Sequence, residues 1–217
     1  MQRQGQAHPE ENPVGGMPVT DDEIREKYLE RAIRELNRFT RDLQACEQCG
    51  RGNLMPVLGS GHPQADIMLL KHAPLPSEVE EGVAFYGRAG TAIMKSLERL
   101  DIDPLTVYGT LCVKCPVGDA AMAAPECVSR LVEELAIVQP RIVVVMGEDA
   151  LGTLNELALP LATTVRAEPG VVQKLTPSID ALFTPDIDAA LDEEDAKRAF
   201  WGAFRVLGDW HADLPPF

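Results

Sequence analysis

The residues with the most specific chemistry in this 217-residue sequence are its five cysteines. Cys46 and Cys49 form a C-x2-C pair followed directly by a glycine, whereas Cys112, Cys115 and Cys127 lie far along the chain. Four thiolates can enclose a metal ion or cluster without any histidine, and C-x2-C beside a glycine is a typical metal-binding spacing. The pattern predicts a metal site on four of the five thiols, although simple burial is also common for cysteine.

Cys112 fits such a site least well. It lies in the apolar run LCV, and on a strand its side chain would point to the face opposite that of Cys115. We therefore expect Cys112 to be a small buried hydrophobic residue, and the ligands to be Cys46, Cys49, Cys115 and Cys127. Thiolates alone do not distinguish zinc from an iron–sulfur cluster. Zinc usually prefers two C-x2-C pairs, so the dispersed second half of this set argues against a zinc ribbon but leaves both metal centres open.

Predicted strands and helices alternate along the chain around these cysteines. A long amphipathic helix with Thr20 as its N-cap is expected at residues 20–45 and leads into the C-x2-C pair. Four segments read as buried strands: residues 66–71, 106–113, 141–147 and, more weakly, 171–176. Further helices are expected at residues 91–100, 125–138, 148–157 and 192–210. The alternation predicts an α/β fold, a three-layer α/β/α sandwich with a central four-stranded parallel sheet.

Composition and charge limit what this chain binds. The formal net charge is -14, and residues 180–213 carry nine acidic against three basic side chains, so broad attachment to a polyanion is not expected. No apolar run is long enough to span a bilayer, and residues 1–19 are polar, with Pro and Gly but without the apolar core of a secretory signal. We expect a disordered tail at 1–19, a single domain at 20–217, a monomer, no membrane partner and a cytoplasmic location.

The order of these features resembles the family-4 uracil-DNA glycosylases, the iron–sulfur branch of the uracil-DNA glycosylase superfamily. The resemblance covers about residues 40–210 and rests on the ordered segments CEQC, VLGSGHPQADIMLL, FYGRAG, VKCP, ECVSRL, QPRIVVVMGEDAL and TPS. It implies the fold of that superfamily. It also implies a 4Fe-4S cluster on Cys46, Cys49, Cys115 and Cys127; zinc stays the alternative on ligand type alone.

At the catalytic positions the sequence departs from that family. His72 lies where the resemblance implies an acidic residue that helps to activate water, and Leu111 where it implies an Asn that reads uracil. Thr176, two residues before Ser178, lies where it implies a His. A leucine side chain has no hydrogen-bonding group, and a hydroxyl cannot supply a cation. Because losing one donor to developing charge costs roughly 100- to 1000-fold in rate, we expect ordinary uracil excision to be absent.

Aromatic and aliphatic residues offer possible contacts with DNA. Phe85 matches the aromatic residue that stacks on an extruded base, although it could equally be a core residue, and Leu111 would adjoin it in a base-binding site. Leu182 and Phe183 could insert into a duplex. Their acid-rich surroundings instead favour a solvated loop followed by a helix N-terminus.

Three functions are compatible with these residues. The first is a divergent iron–sulfur member of the superfamily that has lost uracil excision and binds a nucleobase, DNA or an unidentified protein. The second is a DNA glycosylase for another modified base, with His72, Thr176 and Ser178 as candidate catalytic residues; His72 could instead be an ordinary loop residue. The third is a redox or sensory protein in which the fold only carries the cluster. In each case DNA binding is expected to be weak, because the chain is acidic.

Overall fold

The computed structural model describes residues 20–118 and 125–214. The tail predicted at residues 1–19 lies outside the described residues. Within the described ranges, no helix combines the length and the apolar character needed to cross a membrane.

The first element is a long capped helix, α1 (Asp21–Gln44). The Thr20 side-chain oxygen accepts a hydrogen bond from the backbone N–H of Glu23, and the Glu23 carboxylate accepts one from the backbone N–H of Thr20. This capping box satisfies two of the free donors at the helix start and confirms the predicted N-cap. Phe39 and Leu43 are buried at its C-terminal end, so the helix delivers the C-x2-C pair against the body of the protein.

One six-stranded sheet forms the centre of the molecule. Its strands are β1 (Ser60–Gly61), β2 (Ile67–Lys71), β3 (Val107–Leu111), β4 (Ile142–Met146), β5 (Val172–Lys174) and β6 (Asp180–Thr184). Their spatial order is β1-β3-β2-β4-β6-β5. The four inner strands are parallel, whereas β1 and β5 pair antiparallel at the edges. Every residue of β2, β3 and β4 is buried, which explains why these strands read as continuous apolar runs.

The fourth parallel strand is not the segment predicted from the sequence. Residues 171–176 contain only the short antiparallel edge strand β5, and the chain then turns back to form β6 beside β4. The expectation that Leu182 and Phe183 lie in a loop and could insert into DNA is wrong. Both are buried in β6, with 0% and 5% of their surface exposed, because this strand packs between β4 and the helices.

Helices cover both faces of the sheet. They are α2 (Pro76–Glu81), α3 (Arg88–Arg99), a 3-10 turn (Pro104–Thr106), α4 (Pro125–Val138), α5 (Glu148–Glu156), α6 (Ile187–Ala190) and α7 (Glu194–Ala212). Helices α4 and α5 pack with α1 on one face of the sheet, and α3, α6 and α7 on the other. The predicted three-layer α/β/α architecture is therefore confirmed.

The carboxyl ends of the four parallel strands meet at one edge of the sheet. Lys71 pairs there with Leu111, and Met146 pairs with Thr184. In open α/β sheets ligands bind at this edge. The segments that leave these strand ends therefore define where a site is expected.

Candidate metal centre and sheet-edge site

Three thiols converge beside the end of β3. One sulfur each from Cys49, Cys115 and Cys127 lies within 4.8 Å of the others, and all three residues are buried. Cys49 comes from the turn after α1, Cys115 from the loop after β3, and Cys127 from the first turn of α4. Three distant parts of the chain thus supply soft ligands to one point, which suits zinc or an iron–sulfur cluster.

Cys46, the fourth predicted ligand, lies outside this group of three. It is half-buried, and its carbonyl oxygen accepts a hydrogen bond of 2.9 Å from the Arg51 guanidinium. The same guanidinium donates to the carbonyls of Gln44, at 2.7 Å, and Leu54. Arg51 therefore fixes the backbone of the turn that carries the C-x2-C pair.

Hydrogen bonding and burial shift the pKa values of two of the converging thiols, Cys115 and Cys127, in opposite directions. The pKa of Cys127 is lowered to about 5, chiefly by a hydrogen bond from the Cys115 thiol, with help from the backbone N–H groups of Lys114 and Cys115 and against the effect of burial. The pKa of Cys115 is raised, because its proton is held in that hydrogen bond and because the thiol is buried. The site therefore favours a thiolate, the form that binds metal. This buried set of thiols and amide donors fits a thiolate-bound metal centre.

A buried ionic network braces the elements that carry two of these cysteines. The Lys114 Nζ lies 2.7 Å from a Glu134 carboxylate oxygen and donates to the Leu111 carbonyl at 2.6 Å, and both charged side chains are fully buried. The hydroxyls of Tyr108 and Thr110 also donate to Glu134, at 2.7 and 2.9 Å. Glu134 thereby joins β3 to α4. Sequence reasoning missed this network.

At the sheet edge, Lys71 occupies the space beside Phe85. Its Nζ lies 3.0 Å from Glu78, 2.8 Å from Asp188 and 5.6 Å from the centroid of the Phe85 ring. Glu78 is fully buried and also accepts hydrogen bonds from the backbone N–H groups of Leu75 and Phe85, at 2.7 and 2.5 Å. The ammonium is therefore fixed by two carboxylates close to the aromatic ring.

The predicted base-binding residues Phe85 and Leu111 do lie together. They belong to one small apolar cluster, in which Leu111 is fully buried. Phe85 has a left-handed backbone with φ of 61°, and its ring packs so closely on Gly109 that a Cβ there would come 2.8 Å from the Phe85 Cδ2. A glycine at this point of β3 is therefore what allows the ring to lie against the sheet.

His72 contacts the other helix layer. Its Nδ1 lies 3.2 Å from the Thr153 hydroxyl oxygen on α5, on the face of the sheet opposite Phe85. Cys112 is fully buried nearby, and burial raises the pKa of its thiol to about 12. The prediction that Cys112 is a small buried hydrophobic residue is confirmed.

The structure separates Thr176 and Ser178 from the other candidates. They lie in the turn between β5 and β6, where the Thr176 hydroxyl accepts hydrogen bonds from backbone N–H groups of the turn. This turn is at the amino end of β6, whereas His72 follows the carboxyl end of β2, about 16 Å away for a five-residue strand. A second Thr-Pro pair, Thr184–Pro185, lies at the carboxyl edge instead.

Comparisons with known proteins agree with this architecture. A family model described as the uracil DNA glycosylase superfamily matches residues 58–204. A type-4 uracil-DNA glycosylase of Pyrobaculum aerophilum is 29% identical over 131 residues, which are 57% of this chain and 66% of that protein. One of Archaeoglobus fulgidus is 26% identical over 188 residues, 82% of this chain and 94% of that protein. One of Sulfurisphaera tokodaii is 31% identical over 124 residues, 52% of this chain and 54% of that protein.

Proposed function

Because this chain belongs to the uracil-DNA glycosylase superfamily and is related to type-4 members, we propose that it is a metal-cluster protein of that superfamily without uracil excision. It binds DNA weakly, or a protein partner, and its thiols carry a 4Fe-4S cluster. The two sites have different roles in this proposal. The cluster is structural, and the site at the sheet edge lacks the residues that uracil excision would need.

The observation that carries the proposal is the ion pair beside Phe85. A base stacked on that side of the ring would displace Lys71 from Glu78 and Asp188. Breaking a buried ion pair by removing one partner costs about 3–5 kcal/mol, more than base stacking on an aromatic ring returns. The side chain of Lys71 is only 3% exposed, so solvent compensates little for its removal.

Other groups around Phe85 support the same conclusion. Leu111 offers no hydrogen bond to a base, and His72 contacts Thr153 in the other helix layer. The two carboxylates near the ring, Glu78 and Asp188, are both engaged with Lys71. A general base needs access to the water that it activates, and the ammonium restricts that access.

The direct test is an assay for abasic sites in single-stranded and duplex oligonucleotides that contain deoxyuridine. We expect no strand cleavage after alkali treatment, while the anaerobically purified protein shows the visible absorption of an iron–sulfur cluster. Uracil release at a rate above that of a heat-denatured sample would contradict the proposed loss of uracil excision. Zinc in place of iron would overturn only the identity of the cluster.

A second candidate function is excision of another modified base. It is favoured by Asp188, whose Oδ1 is buried and has no hydrogen-bond partner among the described residues. This oxygen could accept a hydrogen bond from an exocyclic amine or activate water. Product from one member of a panel of modified bases, lost in Asp188→Asn, would establish this function in place of the first.

A further inference from the structure

A groove on the outer surface between α3 and α7 has the features of a second ligand site. Its cavity is about 360 Å³, a volume within the range of small-molecule pockets. The floor is apolar and includes Ile187 and Phe200, and Trp201 forms part of one wall. The rim carries four cationic side chains, Lys95, Arg99, Lys197 and Arg198.

The charge of this groove is opposite to that of the protein as a whole. Four cations and one carboxylate, Glu194, line it, whereas the chain has a formal net charge of -14. Lys197 and Arg198 pair with acidic residues one turn earlier on α7. Concentrated positive charge in an acidic protein raises the local concentration of small anions.

Of the four rim cations, Lys197 and Arg198 have acidic partners, whereas Lys95 and Arg99 form no ion pair with any described residue. They are four residues apart on α3, so their side chains project from the same face of the helix. The Arg99 guanidinium lies 5.8 Å from the centroid of the Trp201 ring. Two adjacent like charges repel each other, and an anion placed between them would relieve that repulsion.

We propose that this groove binds a free nucleoside monophosphate. The phosphate lies between Lys95 and Arg99, where charge-assisted hydrogen bonds from both are available. The base lies on the apolar floor beside Trp201, which provides a flat aromatic surface. This site is separate from the Phe85 site and does not depend on whether the protein excises a base.

The surroundings of the groove favour a mononucleotide over a nucleic-acid strand. Four consecutive acidic residues, Asp192 to Asp195, are exposed at the N-terminal end of α7. A strand running along the groove would bring its further phosphates against all four carboxylates, whereas a single phosphate between Lys95 and Arg99 shares the groove with Glu194 alone.

Trp201 provides a reporter inside the groove. The chain contains two tryptophans, so Trp210→Phe leaves Trp201 as the only indole. We expect deoxyadenosine 5′-monophosphate to change the fluorescence of this variant saturably. Deoxyadenosine and inorganic phosphate should each bind at least about tenfold more weakly, since each lacks one half of the contacts. Equilibrium dialysis of the nucleotide against the unmodified protein checks that Trp210→Phe has not altered the site.

Substitutions on the rim distinguish a specific site from general attraction. Lys95→Gln and Arg99→Gln should each weaken binding of the nucleotide about tenfold, whereas Arg38→Gln, an exposed cation on α1, should leave it unchanged. All three residues are exposed, so folding is not at risk. Equal losses in all three variants, or no saturable binding, would overturn the proposal. So would phosphate binding as tightly as the nucleotide, or a single-stranded oligonucleotide outcompeting it at the same groove.

Discussion

The Lys114 ammonium and the Glu134 carboxylate form an ion pair of 2.7 Å in which neither side chain is exposed to solvent. Lys114 directly precedes Cys115, and Glu134 lies two turns after Cys127 on α4. The pair therefore fixes the distance between the two elements that bring these cysteines together. A metal site assembled from distant segments needs such bracing, because its ligands must already lie near their final positions.

Glu134→Gln should destabilise the protein strongly. The amide keeps the size of the side chain but leaves the Lys114 charge buried without a counter-ion, so we expect the free energy of unfolding to fall by about 3–5 kcal/mol. Urea denaturation measures this change. Glu133→Gln is the matched control, because Glu133 is part of a partly exposed pair with Arg130 and should change stability by less than about 1 kcal/mol. Equal effects of the two substitutions would contradict the bracing role.

Substitutions at the cysteines should distinguish those that bind metal from the one that is only buried. Cys49→Ser, Cys115→Ser and Cys127→Ser each remove a converging thiol, so we expect loss of bound metal and of its visible absorption. Cys112→Ala should retain the metal, because this buried thiol lies in the sheet core and not in the group of three.

Cys46→Ser then tests the composition of the site. If Cys46 is the fourth ligand, its loss reduces the metal content as much as the loss of Cys49. Metal analysis of each purified variant provides the measurement. Full retention of metal in Cys46→Ser would show that a different ligand completes the site.

Replacing Lys71 should destabilise the protein, because its ammonium neutralises two carboxylates at the sheet edge. Lys71→Met leaves the buried Glu78 and the partly buried Asp188 without a cation, and we expect a loss of about 3–5 kcal/mol in the free energy of unfolding. Lys174→Met breaks a pair with Asp180 in which the lysine is exposed to solvent and the carboxylate only partly buried, and it should cost no more than about 1 kcal/mol.

A double substitution distinguishes the ion pair from simple packing. Lys71→Met combined with Glu78→Gln removes both charges of this pair and leaves only Asp188 without its cation, so its cost should be clearly less than the sum of the two single costs. Chemical denaturation of the four proteins closes the cycle. Additive costs would show that the two side chains contribute independently.

The sheet was largely predictable because its inner strands are buried on both faces. The apolar runs of β2, β3 and β4 indicate this directly. Strand β6 escaped prediction because it begins with Asp180, ends with Thr184 and is followed by acidic residues, so its short apolar centre resembled a loop. Because β6 was not predicted, Thr184, which ends this strand at the carboxyl edge of the sheet, was not among the candidate residues.

The two sites differed in how much of each could be predicted. The cysteines were identifiable from residue type and spacing, because few other roles use a C-x2-C pair beside a glycine. The contact of Lys71 with Asp188 joins residues 117 positions apart and depends on how α6 packs. A lysine at the end of an apolar strand was the only local signal, since a buried cation requires a partner.

The buried thiol of Cys112 gives stability a specific dependence on pH. Burial raises its pKa from 9.0 to about 12, with the Lys114 charge acting in the opposite direction. Above about pH 9 the unfolded chain releases this proton while the native state keeps it, so stability falls as pH rises, by about 1.4 kcal/mol per pH unit. Cys112→Ala cannot show this loss. Between about pH 9 and 10.5, unmodified protein should therefore lose about 2 kcal/mol more than the variant in urea denaturation, since all other titrating groups are shared. Parallel pH profiles would mean that the thiol ionises over the same pH range in the native and unfolded states.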